Sequence, residues 1–434
     1  MNRRLRSKVG KVLTRLPKLT RLPKPESALR VAKYVGLSAL GVQATLIASL
    51  LVVDEVRKRR TSPRSFPAMD PIDTRIADNT ITTYTEARSL YSDMLNAINT
   101  AEKYVFFETF LWKSDRVGQR FKDALIAAAD RGVQVYVIYD GFGNLVVDPR
   151  FKIFPKHPNL HVVRVPEIRT GLLVLNLRKT GRDHRKLLVV DGHIGFVGGY
   201  NIGKLYADAW RDTHVRITGP AVWELDNGFV DFWNLFKKRN QPTLQDRGAR
   251  RWNPRIFAAL NLPSHMLYPV RGLYIDALDR ASEKALLTSA YFIPDGEILR
   301  ALINAARRGV KVRILLPEHS NHVVADWVSS AFFDELLAEG VEIYQYKHTM
   351  IHAKTATVDG HWSTVGTANI DRLSMFGNFE INMQFHSTDY AKVLQDIFDN
   401  DLTNSKRLTA ARWAQRPVLR RVAEKILKPL APLM

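Results

Sequence analysis

The chain has 434 residues, 46% of them hydrophobic, and carries a formal net charge of +21. A chain of this size can bury a large core and is expected to form two domains or a duplicated pair. It contains no cysteine, which excludes disulfides, thiol chemistry and zinc–thiolate sites.

The basic charge is concentrated at the two ends of the chain. Residues 1–65 hold 16 Lys and Arg against 3 acidic residues, and residues 405–434 hold 8 against 1, so residues 66–404 carry a net charge of only +1. A nuclease is expected to spread positive charge along its substrate groove. Basic ends beside apolar segments suit an anionic lipid surface instead. The distribution argues against a nucleic-acid partner and favours a membrane.

The N-terminal segment is predicted to be a basic arm followed by a membrane anchor. Residues 1–34 are basic and interrupted by prolines, which forbid one long helix. Residues 35–53 contain no charged side chain and just span a bilayer. We interpret 35–53 as a single transmembrane helix, rather than a buried helix or a cleaved signal peptide, and 54–83 as a linker. Basic residues before the span favour a cytoplasmic N-terminus, but the basic residues after it leave open on which side of the membrane the rest of the chain lies.

The next part of the chain shows one α/β pattern twice. The first copy predicts a helix, a strand, a helix and a strand over 87–99, 104–110, 120–131 and 133–139. The second copy predicts the same series over 273–281, 285–292, 299–308 and 310–316. The chain is therefore expected to be an internal duplication, with domains at 84–245 and 246–404.

The last segment, 405–434, is predicted to be a basic amphipathic tail. Apolar Leu419, Val422 and Ile426 alternate there with Arg420, Arg421 and Lys425. Such a helix fits a membrane interface and equally fits packing on the domain with a solvated basic face.

One chemical pattern occurs in both copies, 168 positions apart. A histidine is followed by a lysine two residues on, an aspartate seven on, an asparagine 17 on and a carboxylate 28 on. The first set is His184, Lys186, Asp191, Asn201 and Asp212. The second set is His352, Lys354, Asp359, Asn369 and Glu380. Packing alone does not explain agreement at every offset.

These residue types suit phosphoryl transfer at one shared site. One imidazole can attack phosphorus and a second can protonate the leaving alkoxide. Lysine and asparagine can hold the non-bridging phosphate oxygens, and a carboxylate can fix the histidine tautomer. Each histidine precedes a predicted strand, so His and Lys, two apart, should share a face. No metal or cofactor is expected, because each copy offers one histidine and few free carboxylates.

The chain resembles the phospholipase D superfamily, and its cardiolipin synthase branch in particular. The resemblance covers about Tyr84 to Phe398. The residues that carry it are 182–186 (RDHRK), 198–202 (GGYNI), 210–214 (WRDTH), 291–295 (YFIPD) and 378–380 (NFE). It implies an α/β fold of two tandem phospholipase D-like sandwiches that share one active site, preceded by the transmembrane helix.

The resemblance also implies an activity and a role for each residue. It implies a membrane phosphatidyltransferase that forms cardiolipin from two phosphatidylglycerol molecules, with His184 as nucleophile and His352 as acid and base. Lys186, Lys354, Asn201 and Asn369 would hold the phosphate, and Asp212 and Glu380 would orient the histidines. Asp191 and Asp359 belong to the motif but are expected to have a more structural part.

Several alternatives and further candidates remain at this point. A hydrolytic phospholipase D would use the same residues with water as acceptor, and a nuclease is less favoured by the neutral body. His214, Glu108 and Tyr291 are further candidates to line the site. The expected partners are phosphatidylglycerol, other anionic phospholipids and the membrane, while the oligomeric state stays open.

Overall fold

The computed structural model describes residues 41, 43–53, 55–56, 65–166, 181–246, 248 and 254–433. The predicted basic arm 1–34 and residues 35–40 and 42 of the predicted span lie outside these residues. Residues 41, 43–53 and 55–56 are helical. No helix within the described residues is both long enough and apolar enough to cross a membrane. The chain divides into two compact units, and the second, Asp54–Met434, contains both repeats.

The first repeat is built on an eight-stranded sheet with helices packed against it. The strands of this repeat are β1 (Ile72–Ile76), β2 (Asn79–Tyr84), β3 (Tyr104–Thr109), β4 (Gln134–Asp140), β5 (Leu160–Val165), β6 (Leu187–Val190), β7 (Ile194–Gly198), β8 (Trp210–Arg211) and β9 (His214–Thr218). All except β8 belong to the sheet. Its helices are α1 (Ala87–Asn99), α2 (Arg116–Asp130), α3 (Lys204–Ala209) and α4 (Val222–Phe236). The strand order in the sheet is β1-β2-β9-β7-β6-β3-β4-β5.

The second repeat has its own eight-stranded sheet. The strands of this repeat are β10 (Ile256–Asn261), β11 (Lys284–Thr288), β12 (Lys311–Pro317), β13 (Glu342–Tyr346), β14 (Met350–Ile351), β15 (Thr355–Val358), β16 (Trp362–Gly366), β17 (Glu380–His386) and β18 (Ser405–Leu408). All except β14 belong to the sheet. Its helices are α5 (Pro269–Arg280), α6 (Gly296–Arg307), α7 (Val323–Ser330), α8 (Phe333–Ala338), α9 (Arg372–Phe376), α10 (Thr388–Thr403), α11 (Ala410–Ala414) and α12 (Val418–Leu427). The strand order is β10-β17-β16-β15-β11-β12-β13-β18.

The two sheets share one arrangement, which confirms the predicted α/β duplication. In the first, β3 lies between parallel β4 and antiparallel β6. In the second, β11 lies between parallel β12 and antiparallel β15. Strands β6 and β15 are the hydrophobic strands that follow the two motif histidines. Both histidines therefore lie at the start of a central strand.

The structure differs from the predicted segments at two places. Strands β1 and β2 lie within the predicted linker 54–83, where Ile76 and Ile81 are buried and β2 pairs with β9. The linker prolines all precede residue 72, so they leave the backbone amides of these strands free to pair. Strand β18, at the start of the predicted tail, pairs with β13 and extends the second sheet.

A common core joins the two repeats. Helix α4 of the first repeat contributes Phe229, Phe232 and Trp233, which are buried in one cluster with Phe379 and Ile381 of the second. The Phe232 ring lies 4.8 Å from that of Phe379 in an edge-on contact. This aromatic packing fixes the position of one repeat on the other, close to the motif histidines.

Candidate active site

Two short backbone pairings hold the repeats together beside the motif histidines. Strands β8 and β14, one from each repeat, run parallel, and the His352 amide donates to the Arg211 carbonyl at 2.6 Å. On the other side Asp183 forms a bridge with Phe379, and the His184 amide donates to the Phe379 carbonyl at 3.1 Å. The backbone of each histidine is therefore bonded to the residue just before the motif carboxylate of the other repeat: His352 to Arg211, before Asp212, and His184 to Phe379, before Glu380.

The histidine–carboxylate pairs are crossed between the repeats. His184 Nδ1 lies 3.0 Å from both carboxylate oxygens of Glu380. His352 Nδ1 lies 2.6 Å from Asp212 Oδ2. All four side chains are buried. With the carboxylate accepting from Nδ1–H, the Nε2 lone pair of each imidazole is left for chemistry.

Burial keeps both imidazoles neutral. It lowers the pKa of His352 to about 3, with a further contribution from the Lys354 charge, against the opposing effect of Asp212. It also lowers the pKa of His184, although Glu380 acts in the other direction. Burial alone would raise the pKa of Glu380, but His184 and Lys186 bring it below its ordinary value. The pairs are thus a neutral imidazole on an anionic carboxylate, which is the form a nucleophile needs.

Two buried lysines face the same space. Lys186 Nζ donates to the His184 carbonyl at 2.6 Å, and Lys354 Nζ donates to the His352 carbonyl. Burial lowers the pKa of Lys186 to about 8 and that of Lys354 to about 7, although nearby carboxylates raise both. The two ammonium groups repel each other, because the Lys186 charge lowers the pKa of Lys354. An anion placed between them would relieve this repulsion.

The two motif asparagines are both buried but have different partners. Asn201 Oδ1 accepts from the Leu111 amide at 3.1 Å, and the Asn201 carbonyl accepts from the Tyr91 hydroxyl. Asn369 Oδ1 has no hydrogen-bond partner among the described residues. Since Asn201 Oδ1 is occupied, its side-chain NH₂ is the group available to a phosphate oxygen.

The two motif aspartates lie at the other end of the strands. Asp191 accepts from the amides of residues 102, 103 and 104 at 2.8–2.9 Å. Asp359 accepts from the amides of residues 282, 283 and 284 at 2.8–2.9 Å. Seven residues of extended chain place each of them roughly 20 Å from its histidine. They fix a turn in each repeat and do not reach the reacting groups.

Aromatic rings form the walls beside the histidines. The Phe110 ring lies 4.9 Å from that of His184, and the Trp210 ring 4.8 Å from that of His352. Tyr291, a sequence candidate, lies 6.3 Å from His352. Sequence reasoning missed Phe110 and singled out Trp210 only as a family residue, because apolar walls carry no motif.

The other two sequence candidates lie in the protein interior. Glu108 forms a bidentate ion pair with Arg185 at 2.7 and 3.0 Å, and both side chains are fully buried. Arg185 lies over Phe232 of the interior cluster, so Glu108 is part of the core and its predicted place in the pocket is wrong. His214 is buried, and neither ring nitrogen has a hydrogen-bond partner among the described residues. Burial lowers the pKa of His214 to about 3, and the ring lies 6.4 Å from that of Tyr200.

Comparison with known proteins places the chain in a family. The family model described as "Cardiolipin synthase, PLD-like domain", where PLD is phospholipase D, matches residues 94–233 and 274–402, one match in each repeat. The chain is 32% identical over 368 residues to the major cardiolipin synthase ClsA of Bacillus subtilis strain 168, covering 82% of this chain and 76% of that protein. It is 32% identical over 371 residues to cardiolipin synthase 2 of Staphylococcus epidermidis, covering 82% and 75%.

A solved structure shares the fold. Phosphatidylserine synthase of Haemophilus influenzae Rd KW20 superposes with a TM-score of 0.63 at 13% identity, covering 84% of this chain and 95% of that one. At this identity the likeness concerns the fold alone. Since the family model matches a segment in each repeat and more than half of the chain, the chain belongs to the family of cardiolipin synthases with phospholipase D-like domains.

Proposed function

We propose that this protein is a phosphatidyltransferase that forms cardiolipin from two phosphatidylglycerol molecules through a phosphohistidine. The observation that carries the proposal is the pair of crossed histidine–carboxylate contacts, His184 with Glu380 and His352 with Asp212. The two pairs make one site that needs both repeats. The activity is also the one named for relatives that are 32% identical to this chain over the aligned residues.

In the first step the Nε2 lone pair of His184 attacks the phosphorus of phosphatidylglycerol. A bond from nitrogen to phosphorus forms, and the bond from phosphorus to the glycerol oxygen breaks. His352 gives a proton to the departing glycerol. A bound phosphate anion raises the pKa of His352, so the imidazole can carry this proton once substrate is present. Glu380 stabilises the positive charge that develops on His184.

The phosphate is held while its charge changes. Lys186, Lys354 and the side-chain amides of Asn201 and Asn369 donate to the non-bridging oxygens. Both lysines are already positioned by their bonds to the histidine carbonyls. The phosphate anion also offsets the repulsion between the two ammonium groups. The site therefore favours a negatively charged group such as a phosphodiester.

In the second step a second phosphatidylglycerol is the acceptor. Its primary hydroxyl gives a proton to His352, and its oxygen attacks the phosphorus. The nitrogen–phosphorus bond breaks, which frees His184 and releases cardiolipin. The Phe110 and Trp210 walls support a lipid alcohol over water as the acceptor, because a site closed by apolar groups and acyl chains disfavours hydrolysis.

We also propose that the enzyme is held at the cell membrane by residues 35–53. The support is the sequence alone: 19 residues without a charge, between two basic segments. The basic C-terminal segment adds attraction to anionic lipids.

The proposal is tested with the full chain and phosphatidylglycerol as sole lipid. Equal amounts of glycerol and cardiolipin should form, and His184→Ala and His352→Ala should each abolish both. Circular dichroism of the variants controls for folding. The unsubstituted enzyme, quenched during turnover, should carry a phosphatidyl group on His184, detectable by mass spectrometry, and neither alanine variant should carry it. Substantial cardiolipin formation by either alanine variant would refute the two-histidine mechanism, and phosphatidic acid as the main product would show a hydrolase instead.

A further inference from the structure

Eleven large apolar side chains are exposed on the described part of the catalytic body, residues 65–433. They are Phe142, Leu145, Val146, Ile153, Leu205, Met266, Leu267, Leu373, Val418, Leu419 and Val422. Single exposed hydrophobics are common and need no explanation. Eight of the eleven are not scattered, because they lie on segments that leave the sheets at the edge where the histidines lie, and the other three lie on α12.

The first group lies on the loop that follows β4. Phe142, Leu145, Val146 and Ile153 are exposed there, with Val146 86% exposed. The loop is firmly held: the buried Asn144 side chain donates to the carbonyls of residues 110 and 140 at 2.8 and 2.7 Å. The Asp140 carboxylate in turn accepts a hydrogen bond at 3.2 Å from the backbone amide of Asp183, the residue before His184. The apolar side chains are thus presented on a fixed rim of the active site.

A second group occupies equivalent positions in the two repeats. Lys204-Leu205 begins α3 and Arg372-Leu373 begins α9, 168 positions apart. All four side chains are exposed. Each helix directly follows a site asparagine, so each repeat places one basic and one leucine side chain beside the entrance.

The third group follows β10. Met266 and Leu267 are exposed on the turn after this strand. The last residue of β10, Asn261, pairs with Glu380 and donates its side-chain NH₂ to the Ser374 carbonyl at 2.8 Å. The turn therefore lies at the same edge as the catalytic carboxylate.

The fourth group lies on α12. One side of this helix is buried through Ala423, Glu424 and Leu427, and Glu424 accepts from Ser330 of α7 at 3.1 Å. The other side exposes Val418, Leu419 and Val422, with Leu419 81% exposed. Arg421 and Lys425 are exposed on the same helix. Helix α12 follows β18, whose last residue, Leu408, pairs with Ile343 at the start of β13, so the chain leaves the second sheet here at the edge opposite the histidines. The three apolar side chains of α12 are therefore left out of the active-site edge.

The opposite edge has a different character. Its turns carry Asp191 and Asp359 with exposed Glu102, Lys103 and Glu283. Among the described residues, none of the exposed large hydrophobics lies in these turns. The catalytic body thus has one apolar and basic edge and one charged edge.

We propose that the active-site edge is a docking face for an anionic phospholipid bilayer, so that the body lies with its site entrance against the membrane. The inference rests on the proposed function, since the substrate is then a bilayer component. Apolar side chains fixed on short loops insert at the interface, and flanking Lys and Arg meet the anionic headgroups. A lipid can then reach His184 and His352 while its acyl chains stay largely in the bilayer.

The absence of native cysteine permits a direct test with single labels in the full chain. Val146→Cys and Leu205→Cys carry an environment-sensitive fluorophore on the proposed face. Glu102→Cys and Lys311→Cys carry it on exposed positions of the opposite edge. Each protein is reconstituted with equimolar phosphatidylcholine and phosphatidylglycerol vesicles that contain a nitroxide-labelled lipid. The labels at 146 and 205 should lose most of their emission, and those at 102 and 311 should keep it.

Three results would overturn the inference. All four labels could be quenched equally, or none could be quenched in membrane-bound protein. The labels at 146 and 205 could also respond to protein concentration without vesicles, which would make the face an interface between two copies. Cardiolipin formation is measured on the same samples. Product without quenching refutes the docking face alone, and quenching without product refutes the proposed function alone.

Discussion

The two carboxylates that contact the histidines, Asp212 and Glu380, differ in the residues next to them. Gly199 and Thr367 both lie 15 residues after their histidine. A Cβ atom at Gly199 would lie 2.1 Å from Asp212 Oδ1, so only glycine leaves room there. Thr367 instead donates its hydroxyl to Glu380 at 2.6 Å. The shorter carboxylate therefore goes with the smaller residue, and the longer one with an extra donor.

The first residue-scale prediction concerns Thr367. Thr367→Val keeps the side-chain shape but removes the donor to Glu380, so the pKa of Glu380 should rise and His184 should be less firmly oriented. We expect turnover to fall about tenfold, as for the loss of one hydrogen bond to a charged group. Thr367→Ser keeps the hydroxyl and should retain most activity. Equal loss in both variants, with unchanged thermal stability, would contradict a role for this hydrogen bond.

The second prediction concerns pH. In the substrate-free site the pKa of Lys354 is lowered to about 7 and that of Lys186 to about 8, chiefly by burial. As pH rises through these values each ammonium loses its proton, and with it the charge that holds phosphate. The ratio kcat/KM reports the free enzyme and should therefore fall as the pH rises from about 7 to about 9. A flat profile over this range would show that both lysines stay charged.

At the scale of elements, the strand that carries His184 is tied to the core in a way that the second repeat lacks. Arg185, between His184 and Lys186, pairs with Glu108 of β3, donates to the Gly228 carbonyl at 3.1 Å and lies over the Phe232 ring. The residues at the equivalent positions in the second repeat are Ala353 and Thr288. The first motif strand thus depends on a buried ion pair.

Breaking this ion pair should destabilise the fold. Arg185→Met leaves the Glu108 carboxylate buried without its partner, which should lower the free energy of unfolding by about 3–5 kcal/mol. The double variant Arg185→Met with Glu108→Leu removes both charges and should be more stable than Arg185→Met alone. Urea denaturation measures both values. A double variant no more stable than the single one would show that the Arg185 contacts with Gly228 and Phe232 matter more than the unpaired charge.

The sequence was informative where function depends on spacing along the chain. The 168-residue offset predicted the duplication, the site residues and the strands after both histidines. Spacing could not predict that Glu380 binds His184 and Asp212 binds His352, because this depends on how two separate sheets pack. Glu108 was misassigned for the same reason: its partner Arg185 lies 77 residues away. Strands β1 and β2 were missed because nearby prolines resemble a linker.

At the scale of the whole molecule, we expect two independent contributions to membrane binding. Deleting residues 1–60 removes the predicted anchor but leaves the apolar and basic edge of the body. The truncated protein should still form cardiolipin on detergent-dispersed lipid and should bind vesicles in a salt-sensitive way, because flanking Lys and Arg supply part of the attraction. Sedimentation with vesicles at low and high salt measures this. Complete sedimentation at high salt would show that residues 1–60 are not the main anchor.

The crossed histidine–carboxylate contacts make each repeat incomplete by itself. A single repeat has a histidine, but the carboxylate that orients it belongs to the other half. An unduplicated ancestor could therefore have worked only as a pair of identical chains, with one kind of contact used twice. Fusion into one chain freed the two contacts to diverge, and Asp212 with Gly199 now differs from Glu380 with Thr367. Each half therefore gives the other a different carboxylate with a different neighbour.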